Sequence, residues 1–197
     1  MKLAFLASNN GSSLRAIVAA AQAGTLAATP VLVVSNRAHA PALDFARHAG
    51  IATLYLPTAA DPAGADHRLA EALQAAGADL VILSGYLRKL GPATLDAFRG
   101  RILNIHPALL PAFGGEGMYG RRVHEAVIAA GAPVSGATVH LVDEFYDHGP
   151  VLAQAEIPIA ADDTPETLET RVMALEPALF VDTLRRIAAG ALKLPEG

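Results

Sequence analysis

Five short, mainly apolar runs recur across the first 105 residues: Leu3–Ala7, Val31–Val34, Ala52–Leu56, Leu80–Leu83 and Ile102–Ile105. A stretch with helical periodicity separates each run from the next. Strands that alternate with helices pair side by side only when every helix crosses back over the sheet. The chain is therefore expected to be α/β, a doubly wound, mostly parallel sheet with helices on both faces. The first helix shows an apolar stripe of Leu14, Ile17, Val18 and Ala21 behind a serine N-cap. Others are expected at Pro41–His48, closed by Gly50, at Asp66–Ala76, closed by Gly77, and at Pro92–Phe98. Beyond residue 110 the pattern changes. A helix over Val123–Ala130 is followed by strands at Ala137–Val142 and Val151–Ile159, the second an antiparallel edge. Asp163 is the expected cap of the last helix, with Pro165 in its first turn and Glu166 at capping-box spacing. Pro177 should kink or divide that helix near Glu176.

Composition narrows the function classes. The chain has 197 residues, 52% hydrophobic and 17% charged, enough for one sizeable core. No cysteine is present, which removes disulfides, thiolate nucleophiles and cysteine-bound zinc together. A net charge of -4, with no basic block longer than a pair, argues against a nucleic-acid partner. No apolar run reaches the length of a membrane span, so a cytoplasmic protein with no membrane partner is expected.

The chemistry concentrates in Arg101-Ile102-Leu103-Asn104-Ile105-His106-Pro107. Period-2 geometry places Asn104 and His106 on one face of a buried strand, about 7 Å apart along it. Pro107 ends the pairing, so amide and imidazole arrive together at the strand's C-terminal end, where open α/β sheets bind ligands. A buried polar group without a partner costs about 1–3 kcal/mol, which makes two of them on one strand face costly unless they are used. The acidic loop Asp143-Glu144-Phe145-Tyr146-Asp147-His148 could supply a carboxylate. If Asp143 or Asp147 folds back on His106, it raises the imidazole pKa and makes a general acid/base beside a neutral amide donor. That set suits attack on a carbonyl, where charge builds on oxygen. A second feature is the turn Asn9-Asn10-Gly11-Ser12-Ser13 between strand and helix, a plausible anion cradle although it is neither a dinucleotide fingerprint nor a Walker loop. The glycine-rich stretch Gly114–Gly120 reads as a mobile segment over a ligand site or a flexible connection. A metal alternative would use His140, Asp143, Asp147 and His148, but no HExxH spacing supports it.

Leu103-Asn104-Ile105-His106-Pro107-Ala108-Leu109-Leu110-Pro111, with Asp147-His148-Gly149-Pro150, closely resembles the signature of the folate-dependent formyltransferases. The likeness extends over nearly the whole chain and is similar to the branch that serves de novo purine synthesis. It implies a Rossmann-like formyltransferase fold in one domain, 1–197, with a phosphate- and ribonucleotide-binding half at 1–100 and a catalytic and folate-binding half at 101–197. The implied reaction moves a formyl group from the co-substrate 10-formyltetrahydrofolate to the primary amine of glycinamide ribonucleotide, with no metal and no covalent enzyme intermediate. By position, His106 is implied as proton donor and oxyanion stabiliser, Asn104 as second donor, and Asp147 as the carboxylate that raises the histidine's pKa. Gly11, Ser12 and Ser13 match the phosphate turn, and Glu176 matches a glutamate that holds the ribonucleotide. Leu87, Arg88, Lys89 and Leu90 match the loop that receives the pterin, with the Asp143 to Asp147 segment closing its other side, and Asn104 and Asp143 are implied as further folate-binding residues.

The chain departs from the family pattern in places. Asn9 stands where glycine is frequent, and Ser13 where asparagine is. Arg122-Val123-His124 replaces a His-x-His pair, and Ala63 stands where some members carry an arginine near the folate tail. Two related activities share the same residue logic: hydrolysis of the formyl-folate, and formylation of an aminoacyl-tRNA, which would call for a basic nucleic-acid surface. A third alternative is a folate- or nucleotide-binding module without catalysis, to which an Asp147→Asn substitution would be indifferent.

Overall fold

The computed structural model describes residues 1–195. Seven strands form one sheet in the order β3-β2-β1-β4-β5-β6-β7. They are β1 (Lys2–Leu6), β2 (Thr29–Ser35), β3 (Ala52–Tyr55), β4 (Leu80–Leu83), β5 (Ile102–His106), β6 (Val134–Leu141) and β7 (Val151–Pro158). The helices are α1 (Ser12–Gln22), α2 (Pro41–His48), α3 (Pro62–Ala75), α4 (Pro92–Ala97), α5 (Arg121–Ala129) and α6 (Pro165–Ala188). The first five strands are mutually parallel, whereas β6 runs antiparallel to β5 and β7 antiparallel to β6. Strand order reverses between β1 and β4, and at such a switch point the connecting loops diverge and leave a crevice beyond the strands' C-terminal ends.

Alternation along the strands sorts side chains into two main cores. Leu3, Phe5 and Leu103 pack with Leu14 and Ile17 of α1 and with Phe180 and Leu184 of α6. Ala4, Leu6, Val81 and Ile102 pack with Leu69 and Leu73 of α3 on the opposite face. A satellite cluster joins α5, β6 and α6 through Val127, Ala137, Leu168 and Val172. Thus Ile102, Asn104 and His106 share the face opposite Leu103, as the period-2 reading of β5 requires.

Three local expectations are corrected. The cap of α1 is Gly11 in the left-handed region (φ 65°), not a serine, and Ser12 and Ser13 are the first two helical residues. Leu14 N–H, which a serine cap would have satisfied, donates instead to Ser84 Oγ at 3.0 Å, after β4. Thr164, not Asp163, caps α6. Thr164 Oγ1 accepts from Thr167 N–H at 3.3 Å while Thr167 Oγ1 accepts from Thr164 N–H at 2.9 Å. Asp163 is already engaged, since its carboxylate accepts from Ala160 N–H and pairs with Arg171. Pro177 does not divide the last helix, which runs unbroken from Pro165 to Ala188. The carbonyl that Pro177 leaves without a helical donor belongs to Met173, which is half exposed. In addition, α3 begins at Pro62, behind an Asp61 cap, ahead of the expected Asp66.

Candidate active site

β5 carries Asn104 and His106 to the end of the sheet, and β6 meets them in antiparallel register, Asn104 opposite His140 and His106 opposite Thr138. Thr138 fastens the chain that leaves β5. Its hydroxyl donates to Ala108 O at 2.6 Å and accepts from Leu110 N–H at 3.0 Å. Gln154 of β7 adds a third tie by donating to Leu110 O at 2.9 Å. The turn after His106 is thereby pinned across two neighbouring strands.

His106 is only 3% exposed. Its Nε2 donates to the Phe113 carbonyl at 2.8 Å, and its Nδ1 lies 3.4 Å from Asp147 Oδ2. Asp147 reaches back from the acidic loop with a left-handed backbone (φ 56°). Its Oδ2 accepts from Gly115 N–H at 3.1 Å, and its Oδ1 lies 3.5 Å from His140 Nε2. Asn104 Nδ2 donates to the same His140 nitrogen at 3.2 Å, because His140 Nδ1–H is taken up by Leu141 O at 2.8 Å. Asn104, His140, Asp147 and His106 therefore form one continuous polar chain.

Burial pushes His106 below the ordinary imidazole value. The Asp147 carboxylate and the Phe113 carbonyl pull it back up, nearby His140 adds to the decrease, and the net direction is down. This corrects the expectation that Asp147 would leave the histidine with a raised pKa: the carboxylate acts in that direction, but desolvation outweighs it. Burial would likewise raise the Asp147 carboxyl. Contact with His140, the charge on His106 and the Gly115 N–H outweigh it, holding Asp147 below the usual carboxylate range.

The turn after β1 lies at the switch point. Ser8 Oγ donates to Asn36 Oδ1 at 2.6 Å and accepts from Leu87 N–H at 2.8 Å, tying the loops after β1, β2 and β4 together. Ser12 and Ser13, in the first turn of α1, have main-chain N–H groups with no acceptor inside the helix, at its positive end. Asn9, the unusual residue here, accepts from Arg37 at 2.5 Å. Glu176 lies mid-way along α6, which packs on α1. Burial pushes its carboxyl up to about 7.

Lys89, Leu90 and Asp143 line a cavity of about 690 Å³ with Pro92, Leu95 and Val142. Leu87 and Arg88 are not on its wall; Leu87 is half exposed. Asn104 lies with the polar chain instead of on that wall. The metal alternative separates into two pairs, His140 with Asp147 and His148 with Asp143. Among the described residues no group of three or more such side chains could hold a metal ion. Sequence reasoning missed His140 as a partner of the catalytic set, and it read Phe113 and Gly115 only as part of the glycine-rich segment, not as contacts of His106 and Asp147. The alternation that put Thr138 and His140 on one face of β6 was the available signal, but the β5–β6 register was not.

The formyl transferase family profile matches residues 1–184. Phosphoribosylglycinamide formyltransferase, chloroplastic, from Arabidopsis thaliana is 41% identical over 99% of this chain and 68% of its own length. Phosphoribosylglycinamide formyltransferase of Escherichia coli (strain K12) is 36% identical over 100% of this chain and 91% of its own. Glycinamide ribonucleotide transformylase 1 from Symbiobacterium toebii superposes with a TM-score of 0.90 at 36% identity, covering 99% of this chain and 91% of that one.

Proposed function

The chain belongs to the formyl transferase family, and on that premise we propose that Asn104, His106 and Asp147 transfer a formyl group from 10-formyltetrahydrofolate to the amine of glycinamide ribonucleotide, a step of de novo purine synthesis. The observation that carries this reading is the polar chain at the end of β5, where a buried imidazole lies 3.4 Å from a carboxylate. The amine lone pair attacks the formyl carbon, and the carbonyl pair moves onto oxygen. Asn104 donates to that oxygen as charge develops, and the imidazole becomes a second donor once it has taken the amine proton. The amine gives up one proton, and the bond from the formyl carbon to N10 breaks as N10 takes a proton. Overall the formyl group replaces one amine hydrogen, which ends on the folate.

His106, neutral at rest because burial lowers its pKa, accepts the amine proton and then delivers it to N10. Asp147, kept ionised, stabilises the intermediate imidazolium. Gly11, Ser12 and Ser13 take the ribonucleotide phosphate, and Glu176 helps to hold the ribonucleotide. Leu87 to Leu90, Asn104 and Asp143 receive the folate, and of these Lys89, Leu90 and Asp143 line the cavity of about 690 Å³. The phosphate turn thus lies in residues 1–100 and the reacting side chains in 101–197, while Glu176 and the Leu87–Leu90 loop cross that division.

Folate release from 10-formyltetrahydrofolate, followed by absorbance with and without glycinamide ribonucleotide, tests the reading. Release only with the ribonucleotide present is expected. Release in water alone would make the protein a hydrolase, and binding without release in either case would leave a non-catalytic module.

A further inference from the structure

His106 has only two ring nitrogens, and each faces a different kind of group. The Nε2 partner, the Phe113 carbonyl at 2.8 Å, is an acceptor under all conditions, so Nε2 carries a proton whether the ring is neutral or charged. A neutral ring has one proton, which leaves Nδ1 bare. Nδ1 faces Asp147 at 3.4 Å, a distance longer than a good charged hydrogen bond, on the edge where His140 and Asn104 also converge.

The segment that supplies this carbonyl is shaped for the purpose. Phe113 adopts φ 56°, a left-handed conformation sparsely populated by residues that carry a Cβ. Its half-buried ring packs outward on the Val127, Ala137, Leu168 and Val172 cluster while its carbonyl turns inward to the imidazole. At Gly114 a Cβ would lie 2.5 Å from Leu110 Cδ2 and 3.1 Å from Asp147 Cβ, so a side chain there would have to displace the Leu110 methyl and press on Asp147. Gly115 N–H then donates to Asp147 Oδ2. Phe113 and Gly115 thus touch the two members of the acid/base pair through the main chain.

We infer that Phe113 is a positioning residue for His106: its inward-turned carbonyl holds the Nε2 proton and makes Nδ1 the nitrogen that moves protons during formyl transfer. The inference rests on the transfer reading above, and it assigns to a main-chain group the orienting role that a carboxylate fills in a serine–histidine–aspartate triad.

The test is ¹⁵N NMR of histidine-labelled protein without substrates, above the pH at which His106 titrates, with His106→Gln used only to assign the signal. The Nε2–H form is expected, and a predominant Nδ1–H form overturns the assignment. Two variants add a kinetic arm. Asparagine tolerates the left-handed region and valine does not. Phe113→Asn should keep the tautomer and lose less of kcat than Phe113→Val, despite losing the same ring packing. Phe113→Val should mix the tautomers and lower kcat on the order of tenfold with KM little changed. Equal losses in both variants with the tautomer intact would show that only the ring matters, against the inference. Should Phe113→Val fail to fold, the wild-type tautomer still decides. Because that tautomer is read without substrates, a failure of formyl transfer bears on the function and not on this assignment.

Discussion

Burial and a carboxylate act on the His106 imidazole in opposite directions, and the pH dependence of the reaction follows from which is larger. Desolvation dominates, so the free enzyme holds His106 neutral until the pH falls below about 6.5, the free imidazole value. A base that must start neutral loses activity when it protonates. The acid limb of kcat/KM should therefore have its midpoint below that value, measured in a pH–rate profile. Asp147→Asn removes the group that raises His106, so the midpoint should move lower still, while kcat falls by about two to three orders of magnitude. An unchanged kcat would remove Asp147 from the mechanism. His140 is a quieter member of the site. It takes the Asn104 amide and lies against Asp147. His140→Ala leaves Asn104 with a lost partner, a cost of about 1–3 kcal/mol, and kcat should fall roughly five- to 150-fold with the pterin still bound. Asn104 and His106 could be placed together from strand periodicity alone. His140 could not, because its relevance depends on which residue of a strand some 35 positions away lies opposite Asn104.

At the level of elements, the start of α1 shows how a turn is made from several parts of the chain. Gly11 occupies a left-handed position, and a Cβ there would lie 3.2 Å from Leu14 Cδ2. Gly11→Ala should cost about 1–2 kcal/mol in thermal or denaturant unfolding. It should also raise KM for the ribonucleotide more than for the folate, since the turn and not the cavity beside Lys89 and Leu90 is disturbed. Equal effects on both KM values would place the phosphate elsewhere. Local composition signalled a cap here and at α6, yet misassigned both. Several neighbouring side chains could cap each helix, and other partners settled the choice: Ser84, 70 residues on, at α1, and Arg171, two turns along the same helix, at α6. The unbroken course of α6 through Pro177 is of the same kind. Propensity disfavours it, but Phe180, Val181 and Leu184 beyond the proline are buried against the sheet and hold the second half in line.

Across the whole molecule, packing a carboxyl into the interface region of α6 couples stability to pH. Glu176 keeps its proton to about 7 in the folded chain and to about 4.3 when unfolded. Between those values the folded state binds more protons, so stability falls as pH rises through that window, by up to roughly 3–4 kcal/mol. Denaturation curves from pH 4.5 to 8 should show this slope, and Glu176→Gln should flatten it; a slope that survives the substitution would assign it to other groups. The class of fold was legible because apolar runs of strand length, separated by helical periods, admit few arrangements other than a wound sheet. The same alternation put Asn104 and His106 on one face, and glycine with two serines marked the first turn. What the sequence could not contain was the distance between segments. Asp147 reaches His106, Phe113 turns its carbonyl inward, and β6 brings His140 opposite Asn104 only after the sheet has assembled. Even the direction of the His106 shift was decided there. A carboxylate neighbour can be guessed from a motif, whereas desolvation depends on how completely the rest of the chain closes over the ring.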